Sequence, residues 1–195
     1  MPCVTLLIKA LTEKNPRRPI KDKMDILAHF LWTFGIFFKS KDRVKAGLMG
    51  IMPDLLSFGP HMIMSLIFGT IAFGKPDINS IPNSVFVFYS ITHSLIIFSL
   101  VMLLIYFFTK RVYWFVFGWL IHILIDIPSH SKEFFPTPFL WPLSDFTFNG
   151  ISWGTPWFMI INYSTLVIVY SWLIFSTKGL NELFFLKRKP RKRKY

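Results

Sequence analysis

The sequence predicts an all-α integral membrane protein, a helical bundle of about four spanning helices plus a short N-terminal half-membrane helix. Three observations predict it. Hydrophobic residues make up 53% of the 195 residues and charged ones 16%, with a mean hydropathy of +0.48, whereas soluble domains carry about 25% charge. Two stretches, Ile78 to Thr109 and Phe146 to Thr177, hold no Asp, Glu, Lys or Arg, and each exceeds the ~20 residues a membrane helix needs. Finally, the basic residues are gathered between apolar stretches, in patches at 9–23, 39–45, 110–111 and 178–194. Of the 22 Lys and Arg, only Lys75 and Lys132 lie elsewhere.

The positive-inside rule orders the elements. Segment 1–23 is read as a basic cytoplasmic N-terminal segment without a secretory arrangement, because its short apolar run precedes the basic residues. Ile26 to Phe38 reaches only ~20 Å at about 1.5 Å per residue and is basic on both sides, so it is expected to form a half-membrane or re-entrant helix packed against the bundle. Ala46 to Phe73 passes outward and Gly74 to Asn83 turns outside. Ser84 to Thr109 returns to Lys110 and Arg111. Val112 to Ile127 passes outward again, Pro128 to Thr155 forms an external or membrane-surface loop, and Pro156 to Thr177 comes back to the basic tail. Residues 24–178 are thus one membrane-embedded domain. Residues 179–195 are a polybasic cytoplasmic tail, and the location is a cell (inner) membrane.

Composition excludes several classes. With 23 Phe and 7 Trp the chain is not disordered. A single cysteine, Cys3, leaves neither a disulfide framework nor a Cys-rich zinc module. The net charge of +12 invites a nucleic-acid reading of the KRKPRKRKY tail. Following an apolar helix, the tail is read instead as binding anionic lipid headgroups; its only aromatic is Tyr195, and sequence-tolerant strand binding needs a stacking platform.

The ionisable residues inside the apolar spans carry the functional signal, because such groups are costly in lipid. They are His29, Asp54, His61, His93, His122 and Asp126, with His130 just beyond Pro128. His122 and Asp126 stand at i and i+4 and share a helix face. His130 extends the pattern to H-x3-D-x3-H, although Pro128 should bend or end the helix. Asp25 and His29 repeat the pairing in reverse order. Pro53 before Asp54 breaks a helix and can let irregular backbone line a polar pocket. Imidazole and carboxylate suit zinc, manganese or iron, and sites without thiolate are more often catalytic than structural. Taken singly, each histidine also fits an interhelical hydrogen-bond partner, and His61 in its Gly-Pro-His setting fits a helix start. A shared metal requires the ligand atoms of Asp54, His93, His122 and Asp126 to meet within about 5 Å. The stretch 134–157, rich in Pro, Gly and aromatics, fits an interfacial belt or a lid over the site, in which Asp145 and Asn149 would orient substrate.

In these motifs the chain resembles the YdjM-type family of inner-membrane metal-dependent hydrolases, over roughly Ala28 to Trp157. The carriers are Ile51-Met-Pro-Asp54, Ile91-Thr-His-Ser-Leu95, Gly118-Trp-Leu-Ile-His-Ile-Leu-Ile-Asp126 and the downstream Trp141-Pro-Leu, with His29 matching the family's N-terminal histidine. The chain departs from the pattern at Phe88 and Tyr89, where many members have His-Arg, and at Leu56, near the place of a second acidic residue. The family is similar in turn to the zinc-dependent phospholipase C and single-strand nuclease superfamily, which implies hydrolysis of a phosphoester, of a lipid-like substrate in particular.

The expected metal ligands are therefore Asp54, His93, His122 and Asp126 as a core, with His29 and His130 completing the set around a divalent metal, zinc first and manganese or iron as alternatives. The metal would lower the pKa of a bound water and polarise the scissile group. Thr92 and Ser94 are expected to support His93 rather than act as nucleophiles. Two rivals use the same sequence differently: an intramembrane metal-ion or proton transporter, and a non-enzymatic membrane scaffold. The short first helix and the lack of inverted repeats count against transport.

Overall fold

The computed structural model describes residues 25–69, 78 and 81–176. The basic segment 1–23, the tail 179–195 and most of the expected outer turn lie outside the described residues. Among the described residues there are seven α-helices and no strand: α1 (Ile26–Ile36), α2 (Arg43–Met49), α3 (Met52–Ile67), α4 (Asn83–Thr92), α5 (Leu95–Thr109), α6 (Phe117–Ser129) and α7 (Pro156–Ser176). A 3-10 turn, Trp114–Val116, leads into α6.

The expected passes differ in how they are built. Among the described residues only α7, with 21 residues, is a single helix long and apolar enough to cross a membrane, and just 11% of its apolar window is buried. The expected pass 84–109 is two helices, α4 and α5, bent by 59° at His93 and Ser94. The pass 46–73 is split into α2 and α3 at Gly50 and Ile51, because Pro53 in the first turn of α3 has no N–H for the preceding ladder. Helix α6, even with its 3-10 turn, remains shorter than a full span.

Helix α1 has 11 residues, too short to cross, and it packs on α2, α6 and α7. Asp25 caps it, its Oδ1 accepting from the Ala28 N–H at 3.0 Å and from the Tyr163 hydroxyl of α7 at 2.6 Å. Trp32 donates its indole N–H to Asn162 Oδ1 (2.8 Å) and Tyr170 its hydroxyl to the Leu31 carbonyl (2.8 Å). These bonds tie α1 to α7. After α1 the chain turns under Arg43, which is buried, donates to the Phe38 carbonyl at 2.8 Å and lies over the rings of Phe34 and Phe38.

Small residues let the helices around the centre approach closely. A Cβ on Gly118 of α6 would overlap the Ala46 carbonyl of α2, and one on Gly50 would overlap the Thr33 side chain of α1. Beside two apolar clusters, the interior holds polar groups: His29, His93, His122, His130, Asp54, Asp126, Thr33, Ser57 and Ser94 are buried, whereas Leu103, Phe108, Ile160 and Phe175 are 65%, 77%, 67% and 86% exposed.

A groove of about 340 Å³ lies between α1 and α7, lined by residues such as Leu31, Trp32, Tyr170 and Leu173, with Lys39 at its edge. None of the buried histidines or aspartates lines it.

Candidate metal centre

Four elements deliver the ionisable residues to one place. Asp54 sits in the first turn of α3, directly after the Pro53 break. His93 occupies the bend between α4 and α5. His122 and Asp126 lie one turn apart on α6, and His29 comes from α1. His130 follows α6: the helix runs through Pro128 and ends at Ser129, leaving His130 in extended backbone (φ −113°, ψ 139°). All six residues are buried, with His93 and His122 fully enclosed.

One ligand atom from each of Asp54, His93, His122 and Asp126 lies within 4.8 Å of the other three, inside the limit for a shared ion. His93 Nε2 and His122 Nε2 are 2.9 Å apart, and each is 3.2 Å from Asp126 Oδ2. Asp54 Oδ1 is 3.5 Å from His93 Nε2 and 3.8 Å from His122 Nε2. These separations bracket the ~3.3 Å edge of a tetrahedron whose metal–ligand bonds are ~2.05 Å.

Hydrogen bonds aim the lone pairs inward. The Nδ1 of His122 lies 2.7 Å from the Gly50 carbonyl, at the break between α2 and α3. The Nδ1 of His93 lies 3.0 Å from the Tyr89 carbonyl and 3.0 Å from Thr92 Oγ1, whose own hydroxyl donates to the Phe88 carbonyl at 2.9 Å. A carbonyl only accepts, so these partners place a proton on each Nδ1, and in the neutral imidazole Nε2 is then the free lone pair. In that neutral form the two Nε2 lone pairs, 2.9 Å apart and facing buried carboxylates, repel one another unless positive charge lies between them. Neither carboxylate oxygen of Asp126 receives a conventional hydrogen bond, which for a buried charge is costly. An N2O2 set of this kind could hold a divalent cation, and orienting an imidazole through its distal N–H is how proteins tune metal ligands.

His29 and His130 take the opposite side of Asp126. His29 Nε2 is 3.1 Å and His130 Nε2 3.6 Å from Oδ1. The His29 ring also lies over His122, with centroids 4.1 Å apart. All six expected ligands thus converge, but on two faces of Asp126. His61 is not among them. Asp25, which sequence spacing paired with His29, is a helix cap and an anchor for Tyr163.

Supporting residues were read with mixed success. Thr92 touches His93, as expected. Ser94 acts one step away: it caps α5 by accepting from the Ile96 and Ile97 N–H groups (both 3.1 Å), and it donates to the Trp141 carbonyl. Asn149, expected to orient substrate, instead accepts from the exposed Lys132 N–H at 2.9 Å, and Asp145 is exposed. The aromatic segment is tied down beside the centre by backbone bonds from Gly150, Ile151 and Trp153 to the carbonyls of His130, Pro128 and Ser129 (2.8–2.9 Å). Tyr89 was legible only as a departure from a family pattern. It stacks on His93 at 3.8 Å and donates its hydroxyl to the Phe135 carbonyl at 3.1 Å, the same carbonyl that lies 2.8 Å from His130 Nδ1. Gly50 and Gly118 were not anticipated either; the glycine four residues before His122 was their only visible trace.

No protein-family model, no curated protein and no solved structure matches the chain.

Proposed function

We propose that this chain is a membrane-bound metal-dependent hydrolase of the YdjM type, acting on a phosphoester or lipid-like substrate. The observation that carries the reading is the meeting of Asp54, His93, His122 and Asp126 within 4.8 Å in a buried, inward-aimed set. When bound there, a divalent ion such as zinc would supply an acidified water and polarise the scissile group. Asp54, His93, His122 and Asp126 hold the charge in place. The carbonyls of Gly50 and Tyr89 fix the ring orientations, and Tyr89 and the segment after His130 exclude bulk water.

The same reading places the chain in the membrane four times, with both termini in the cytoplasm. What supports it is the distribution of polarity, with apolar side chains outermost on α3, α5 and α7 and Asp54 and Asp126 buried inside. Lys39, Lys41, Lys45, Lys110 and Arg111 are exposed, suited to anionic headgroups at one face. Removing Cys3 and placing single cysteines at Lys110 and Asp145 tests the topology: an impermeant thiol reagent on intact cells should label position 145 and spare position 110.

The activity test uses detergent-purified protein with a chromogenic phosphodiester and a short-chain phospholipid. Zinc- or manganese-dependent cleavage, lost in Asp126→Ala, is expected. Metal flux in proteoliposomes without any cleavage would favour transport instead and overturn the hydrolase reading.

A further inference from the structure

The groove between α1 and α7 belongs to no part of the metal centre, and its two ends differ in chemistry. Leu31, Leu166, Val169 and Leu173 give it apolar walls, and it opens at Gly35, where a Cβ would meet nothing closer than the Tyr170 ring at 3.6 Å. Trp32 and Tyr170 spend their polar groups inside the protein, the indole N–H on Asn162 Oδ1 and the hydroxyl on the Leu31 carbonyl. This length of the groove therefore suits an apolar occupant, because a polar one would lose its hydrogen bonds to water without replacement.

The other end is cationic. Lys39 is exposed there, and among the described residues it has no carboxylate partner: Asp42, the nearest acidic residue in sequence, pairs with Lys45 at 3.2 Å. Trp172, also in the lining, is 63% exposed and its indole carries a donor only. An occupant with an apolar body and an anionic tip matches both ends. We propose that the groove seats one acyl chain of an anionic phospholipid, with the lipid phosphate on Lys39.

The proposal rests on the membrane placement above and is independent of the metal centre. Helices α1 and α7 run side by side in the same direction, Asp25 meeting Tyr163 and Leu31 meeting Tyr170. The Lys39 end of the groove therefore lies toward Ser176, the end of α7 that the basic residues 178–194 follow in sequence. Basic pockets between helices on that side of a membrane recognise anionic headgroups. A volume of about 340 Å³ is at the lower end of small-molecule sites and suits one chain rather than a whole lipid. Segments 1–23 and 179–195 each carry net positive charge, which Lys39 repels, so an anionic lipid is favoured over the chain's own ends.

Native mass spectrometry of the full chain tests this, after extraction from cell membranes in mild detergent and exchange with palmitoyl-oleoyl phosphatidylglycerol or phosphatidylcholine. The wild type should retain one phosphatidylglycerol per chain, about fivefold more than phosphatidylcholine, the weight of one lysine at a membrane surface. Lys39→Gln, at an exposed position, should hold the two lipids equally and at the lower level. Gly35→Leu, which fills the groove, should retain neither, whereas Gly35→Ala should behave as the wild type. Equal retention of the two lipids by the wild type, or retention unchanged in Gly35→Leu, would overturn the seat. A lipid-free dimer that Gly35→Leu dissociates would overturn it too and give the groove to a second copy of the chain. Should Gly35→Leu fail to fold, the wild type and Lys39→Gln decide alone. A chain absent from the membrane fraction of cells would refute the membrane placement itself, whereas a membrane-bound chain that keeps no phosphatidylglycerol refutes only the seat.

Discussion

Gly118→Ala should damage metal binding although Gly118 touches no ligand. The added Cβ would overlap the Ala46 carbonyl of α2, and a backbone carbonyl cannot rotate away as a side chain can. Restoring an ordinary C···O contact of ~3.3 Å or more requires α2 and α6 to part by about 1 Å. Gly118 lies one turn before His122 on the same face of α6, and α2 ends at the Gly50 carbonyl that receives His122 Nδ1 at 2.7 Å. A parting of that size stretches the bond to ~3.7 Å, beyond the hydrogen-bond range. Loss of an imidazole's orienting partner lowers metal affinity by about 10–100-fold, and the overpacking itself costs about 1–3 kcal/mol of stability. Gly59→Ala is the internal control, since a Cβ there meets nothing within 4 Å; in helix α3 it should stabilise by about 0.5–1 kcal/mol. Chelator competition on detergent-purified protein gives the affinities and thermal unfolding gives the stabilities. Wild-type metal affinity in Gly118→Ala would refute the coupling between the α2–α6 contact and the centre.

Three further substitutions separate support from ligation. Ser94→Ala removes the cap of α5 and should cost about 1 kcal/mol in thermal unfolding, with less than a tenfold loss of metal affinity; a larger metal loss would put Ser94 in the centre. Tyr163→Phe deletes the 2.6 Å bond to the Asp25 carboxylate and should destabilise by about 1.5–3 kcal/mol, with metal content unchanged. Tyr89→Phe keeps the stack on His93 but loses the bond to the Phe135 carbonyl. It should cost about 1 kcal/mol and leave the metal-to-protein ratio as in the wild type.

The buried group of Asp54, His93, His122 and Asp126 was legible in the sequence for a physical reason. In a chain with so few acidic residues, an aspartate placed within an apolar run has to be matched by something, and the i, i+4 spacing of His122 and Asp126 placed them on one face. Asp54 was marked by the proline before it, at the break between α2 and α3 where the Gly50 carbonyl meets His122. The helix lengths were less legible. Hydropathy sees 84–109 as one apolar run, whereas the Ser94 cap and the bonds of Ser94 and Leu95 to the carbonyls of Trp141 and Phe139 bend it by 59°. Those partners lie some 45 residues along the chain, beyond the reach of local pattern. The close approach at Gly118 and the division of four imidazoles between the two oxygens of Asp126 are likewise tertiary facts. No spacing rule distinguishes Oδ1 from Oδ2.

The central claim, that Asp54, His93, His122 and Asp126 hold a divalent metal, is tested most directly by elemental analysis of the purified protein. Wild type and His61→Ala, whose imidazole lies outside the centre, should carry zinc or manganese, whereas His122→Ala and Asp126→Ala should have lost it. Equal and negligible metal in all four proteins would contradict the claim and return these histidines to the packing of the bundle.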